Sequence, residues 1–87
     1  MPYELHIEHN AEKDLNKIEK TLFIQIISRI KTLADTPRPH GSKKITGSRN
    51  DWRLRVGDYR ILYEIDNKTK TIKIMRVKHR REVYRDL

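Results

Sequence analysis

The sequence predicts an α+β fold: a small antiparallel β-sheet in the element order β-α-α-β-β-β-β, with an N-terminal helical hairpin packed on one face. Three observations lead there. Apolar residues recur at three- and four-residue spacings as far as Leu33 and afterwards at a spacing of two. Pro37, Pro39 and Gly41 separate the two regimes, since two prolines and a glycine so close together forbid a helix from continuing. No crossover helix lies between the later strands, so they should form an antiparallel meander with both helices on one side.

In chain order, YELHIE alternates and reads as a first strand, and Asn10 is placed to N-cap a helix over AEKDLNKI. Leu22, Phe23, Ile26, Ile27, Ile30 and Leu33 form the apolar stripe of a second helix of about 15 residues. The stretch from Asp35 to Ser42 ends it. KKIT, WRLRV, YRILYEI and TIKIMRV are the remaining strands, separated by GSRND, Gly57-Asp58 and DNKTK. His79 to Leu87 is a short basic tail with room for one helical turn. With no repeat, low-complexity stretch or linker, residues 1–87 read as a single domain, and a core of this size is thin.

No run of 18 apolar residues suggests a membrane span, and MPYELHIEHN lacks the segments of a secretory signal, so a soluble cytoplasmic protein is expected. The absence of cysteine excludes disulfides and thiolate metal sites. The net charge of +8 is unevenly spread: residues 1–40 hold six basic and six acidic side chains, residues 41–87 fourteen and six. Such asymmetry points to a polyanion, most often nucleic acid, meeting one part of the molecule.

Gly57-Asp58 between two alternating runs fits a type II′ hairpin turn with glycine first. The register then follows: Val56 opposes Tyr59, Arg55 opposes Arg60, Leu54 opposes Ile61, Arg53 opposes Leu62 and Trp52 opposes Tyr63. One face becomes Trp52, Leu54, Val56, Tyr59, Ile61 and Tyr63, suited to packing under the helices; on that side Trp52 and Tyr63 belong to the core. The other carries Arg53, Arg55 and Arg60. Directly opposed like charges are destabilising, so the cluster gains nothing unless an anion fills it. Glu64 shares the face but lies roughly 13 Å along the strand from Arg60, too far to neutralise it fully. Guanidinium forks match phosphate oxygens bidentately, and the face is read as a phosphate site; the competing reading is a solvated face whose arginines splay apart or pair with Glu64 and Asp66. Lys43, Lys44 and Arg49 extend the patch, and Arg76, Lys78, Arg80 and Arg81 add charge from the last strand and tail.

His6, His9, His40 and His79 are scattered, no carboxylate cluster accompanies them, and no metal or other cofactor is expected. Serine or cysteine nucleophiles with a base are absent too. An RNA cleaver needs neither, because the substrate's 2′-hydroxyl can attack the adjacent 3′-phosphate. The protein then supplies positioning, positive charge at the pentacovalent phosphate and a proton carrier. Arginine serves the first two tasks but does not release its proton. Proton transfer falls to Tyr84 or His79 in HRREVYR, and the cations around Tyr84 favour its ionisation.

The blocks KKITG, WRLRVGDYRILYEID and VKHRREVYR, with the helical hairpin before them, resemble the RelE/ParE superfamily of bacterial and archaeal toxins from toxin–antitoxin pairs. The likeness spans nearly the whole chain. It implies a RelE-like sheet with two helices on one face, a cognate antitoxin that wraps and neutralises the toxin, and, in the RelE branch, cleavage of mRNA in the ribosomal A site. By position, Arg53 and Arg55 take the place of a basic pair that is often lysine in RelE proteins. Arg60 matches the arginine after the turn, His79 or Arg80 the basic residue near the end of the last strand, and Tyr84 the C-terminal tyrosine. Arginine for lysine keeps phosphate stabilisation but removes a lysine as base. The ParE branch, which poisons DNA gyrase, typically lacks the full set of these residues, so Arg53, Arg55, Arg60 and Tyr84 together favour the ribonuclease. A non-catalytic RNA- or antitoxin-binding module of the same fold is the third reading. Oligomeric state is left open, since the hairpin's apolar face could meet the sheet, the antitoxin or a second copy.

Overall fold

A computed structural model describes residues 2–81. A first strand, β1 (Glu4–Ile7), leads into helices α1 (His9–Asn16) and α2 (Lys20–Thr32), after which come β2 (Ser42–Lys44), β3 (Asp51–Val56), β4 (Tyr59–Asp66) and β5 (Thr71–His79). The five strands form one sheet in the order β1-β5-β4-β3-β2. The last four make the expected antiparallel meander, whereas β1 pairs in parallel with β5, from Glu4 opposite Thr71 to Ile7 opposite Ile74. The helical hairpin is therefore itself the crossover that parallel strands require.

Asn10 does not cap α1. The helix begins at His9, with Glu8 in the capping position at φ −67° and ψ 155° and Asn10 inside the first turn. Glu8 ends the ladder and opens the helix at once: its N–H donates to the Ile74 carbonyl at 2.9 Å, and its own carbonyl accepts from the Glu12 N–H at 2.9 Å. With strand and helix sharing that residue, no room remains for a cap two positions later.

Both helices lie on one face. Ala11 and Leu15 from α1, with Ile26, Ile30 and Leu33 from α2 and its end, pack against Leu54, Val56, Ile61, Tyr63, Ile65, Ile72, Ile74 and Val77 of the sheet. Tyr63 is wholly buried, and its hydroxyl donates to the Pro37 carbonyl at 2.7 Å, which ties the proline-rich loop to the core. Loss of water pushes the phenol's pKa up, against opposing contributions from Ser42 and Arg38. Trp52 packs at the margin of the core with the Arg38 guanidinium 5.3 Å from its ring centroid. Among the described residues, no helix is long and apolar enough to cross a membrane.

Candidate active site

The β3–β4 hairpin has the register expected from its turn, from Val56 opposite Tyr59 to Trp52 opposite Tyr63 and on to Asp51 opposite Glu64. Gly57 sits at φ 60°, the left-handed value that the first position of a II′ turn requires. Alternation then sends Leu54, Val56, Ile61 and Tyr63 under the helices and Arg53, Arg55 and Arg60 to the open face. There Gly41, Lys43, Arg53, Arg55 and Arg60 line a cleft of about 250 Å³.

Two rows of residues build this face. Lys43 on β2 is opposite Arg53, and Arg53 is opposite Leu62; one step along, Arg55, Arg60 and Lys78 stand side by side on β3, β4 and β5. Three adjacent strands thus contribute three consecutive cations. Arg55 Nε donates to the Gly57 carbonyl at 3.3 Å and Arg60 Nη1 to the Tyr59 carbonyl at 3.2 Å, contacts that orient each guanidinium without neutralising it. Among the described residues, no carboxylate forms an ion pair with Arg53, Arg55 or Arg60. The acids that could have done so are occupied elsewhere. Glu64 shares Lys73 with Glu8, each at 3.9 Å, and Asp66 accepts the Lys68 and Thr69 amides at 2.9 and 3.1 Å in the β4–β5 turn. Those amide bonds, led by the one from Thr69, hold the Asp66 carboxyl below its ordinary pKa.

The remaining cations do not converge on one place. Lys44 falls on the Trp52 side of β2, and Arg49 is exposed in the β2–β3 loop. Arg76 is taken up by Asp14 of α1, with Nε on Oδ2 at 2.8 Å and Nη2 on Oδ1 at 3.0 Å. His79 lies opposite Tyr59, on the helix-bearing side, with the rings edge to face and their centroids 5.4 Å apart. Its Nδ1 accepts the Arg81 N–H at 3.3 Å. Arg80 N–H donates to the Asp58 carbonyl at 2.7 Å, so the tail leaves the sheet beside the β3–β4 turn. Tyr84 lies outside the described residues.

The reason Lys78 and not His79 reaches the arginine row is a bulge. Tyr63 is opposite Ile74 but Leu62 is opposite Arg76, so Met75 is an extra residue and every side chain after it changes face. Sequence reading missed this, although a signal was present: the buried positions Ile72, Ile74 and Val77 are spaced two and then three apart. Asp14 was missed as well, because a lone acid on an exposed-looking helix carries no motif.

The chain is thus a small α+β protein with a mostly antiparallel sheet, a helical hairpin beneath it and, above it, a cleft whose arginines pair with no carboxylate among the described residues. Comparison with known proteins gives the class its family. The sequence profile described as the ParE toxin of the type II toxin–antitoxin system, parDE, matches residues 5–84, and the chain belongs to this RelE/ParE superfamily of toxins. It is similar to Toxin RelG of Mycobacterium tuberculosis, with 30% identity over 86 residues covering 98% of this chain and 99% of that one. Two solved structures are similar throughout. One is the RelBE2 toxin–antitoxin complex of M. tuberculosis, with TM-score 0.81 and 27% identity, covering 91% of this chain and 99% of that chain. The other is the RelE–RelB complex of Pyrococcus horikoshii, with TM-score 0.82 and 29% identity, covering 92% and 97%.

Proposed function

We propose that this toxin is a ribosome-dependent endoribonuclease that cleaves mRNA in the ribosomal A site and so inhibits translation. The observation that carries the reading is the cation row Arg55–Arg60–Lys78, beside Arg53 and Lys43, on a face where no described carboxylate neutralises the arginines. Such an arrangement favours a dianionic phosphorane over a singly charged phosphodiester. Charge that strengthens as the reaction proceeds lowers the barrier rather than merely tightening binding.

In the reaction the 2′-oxygen of the substrate forms a bond to the adjacent phosphorus while the bond from phosphorus to the 5′-oxygen of the next nucleotide breaks. A proton leaves the 2′-hydroxyl and another arrives at the departing 5′-oxygen, giving a 2′,3′-cyclic phosphate and a 5′-hydroxyl without water or metal. Arg53, Arg55 and Arg60 are assigned to holding the phosphate in line and to balancing its charge. His79 stands on the far side of the sheet beside Tyr59, which favours Tyr84 as the proton carrier; Arg80 and Arg81 serve the flanking backbone. Arg76 is drawn from the reacting phosphate by its ion pair with Asp14, and Lys44 and Arg49 are assigned to the flanking backbone.

Its cognate antitoxin is taken to be a RelB-like protein, since the M. tuberculosis and P. horikoshii relatives were solved as toxin–antitoxin complexes. A DNA gyrase poison is the second reading, favoured by the ParE description of the matching profile. Primer extension on a defined mRNA, naked and on programmed ribosomes, separates the two. Cleavage at the A-site codon that disappears with Arg60→Ala supports the ribonuclease. Intact mRNA on ribosomes, together with inhibited supercoiling by gyrase, overturns it.

A further inference from the structure

We infer that Asp14 is a positioning residue: by clamping β5 just after its bulge, it fixes the register that turns Lys78 rather than His79 onto the face that carries the arginines. The consequence for cleavage rests on the function proposed above.

β1 covers the outer edge of β5 only from Thr71 to Ile74. Beyond that point no strand among the described residues lies beside the edge amides of β5, and the extra residue Met75 falls where the cover ends. Asp14, reaching across from α1, takes the first two groups after it. Its Oδ2 accepts both Arg76 Nε at 2.8 Å and the Val77 N–H at 2.9 Å, while Oδ1 accepts Arg76 Nη2 at 3.0 Å. The side chain is only 12% exposed, so these bonds are poorly replaced by water. One carboxylate therefore holds this edge by one backbone amide and the adjoining guanidinium.

The register it holds decides which side chain joins the cations. Strict alternation from Ile74 would place Arg76 and Lys78 under the helices and Val77 and His79 on the open face. With Met75 bulged out, Val77 is buried, Lys78 stands opposite Arg60, and His79 packs on Tyr59. A slip of one residue would put the His79 imidazole in place of the Lys78 ammonium beside Arg60. Although burial alone pushes the Asp14 carboxyl up, the hydrogen bonds from Arg76 and Val77 outweigh it and hold the group ionised.

The test uses Asp14→Ala, Lys78→Met and the double variant in the full chain, with two readouts. Ile61 and Val77 face each other as a pair without mutual hydrogen bonds, so their Hα protons give a strong NMR cross-peak in the wild type. Asp14→Ala is expected to lose or move that cross-peak while α2 signals persist, and to lower single-turnover cleavage about tenfold. Lys78→Met should lower cleavage by a similar factor with the cross-peak intact, and the double variant should be no slower than the worse single one. A retained Ile61–Val77 cross-peak in Asp14→Ala, or losses that multiply in the double variant, would overturn the inference. Should the alanine variant fail to fold, Asp14→Asn keeps the shape but not the ion pair; a second register in its spectrum supports the clamp, and a single native register refutes it. The cross-peak needs no activity, so a wild type that cleaves nothing sinks the ribonuclease reading while the spectrum alone decides the clamp.

Discussion

Arg60 stands between Arg55 and Lys78 in a row of three cations, an arrangement that costs folding energy. Arg60→Ala should therefore leave stability unchanged or raise it by some tenths of a kcal/mol, while growth arrest disappears and antitoxin binding persists. Urea unfolding of the variant beside its toxicity checks this; a loss above about 1 kcal/mol would make Arg60 a prop of the fold. Asp14 is the opposite case, a charge that the fold uses. Its carboxyl is held below the ordinary value near 3.9, so its contribution is fully present above about pH 4 and lost as the pH falls through the lower folded-state value. Arg76, the Val77 amide, Lys78, Lys17, Tyr59 and His79 are the polar groups around it. Asp14→Asn should cost about 2 kcal/mol at pH 7, and the gap to wild type should stay level down to pH 4 and narrow below it. A gap that stays constant through pH 3 would show that the ion pair contributes nothing.

The β3–β4 hairpin was legible down to each cross-strand pair, because a two-residue turn and a period of two leave only one register. Gly57 is the residue on which that depends. A Cβ built on it meets nothing within 4 Å, so the cost of Gly57→Ala is purely that of holding φ at 60°. Gly57→Ala should lose about 1 kcal/mol in urea unfolding and Gly57→Asn less, since asparagine tolerates left-handed backbone. Equal losses would mean that the turn is set by something other than φ. What was not legible lay where local pattern yields to distant partners. The start of α1 is fixed by the bond from Glu8 to Ile74, 66 positions along the chain, and no property of Asn10 reveals it. The same holds for β5, where Met75 breaks the alternation and Asp14, on another element, stabilises the break. The arginine face was found because it needed only alternation; the contribution of Lys78 to it needed the bulge.

Across the whole molecule the open face of the sheet divides into two electrostatic halves. In the half nearer the β4–β5 turn, Lys73 pairs with Glu8 and Glu64; in the half nearer the β3–β4 turn, Arg55, Arg60 and Lys78 stand in a row, with Arg53 and Lys43 beside them at the cleft. The excess of +8 carried by residues 41–87 thus has a location as well as a magnitude. A single strand lying across the second half releases condensed counterions from each phosphate it pairs, and the logarithm of affinity then falls with the logarithm of salt at about 0.7 per contact. Five cations give a slope of about −3.5 for a short single-stranded RNA, and Arg55→Ala should reduce it by about 0.7. Lys73→Ala, in the neutralised half, should leave the slope unchanged even though it removes the same formal charge. That contrast separates a located binding surface from diffuse attraction to a basic protein. Equal shifts for Arg55→Ala and Lys73→Ala would mean that net charge alone attracts RNA. A slope near zero for the wild type would remove the cleft as the contact surface altogether.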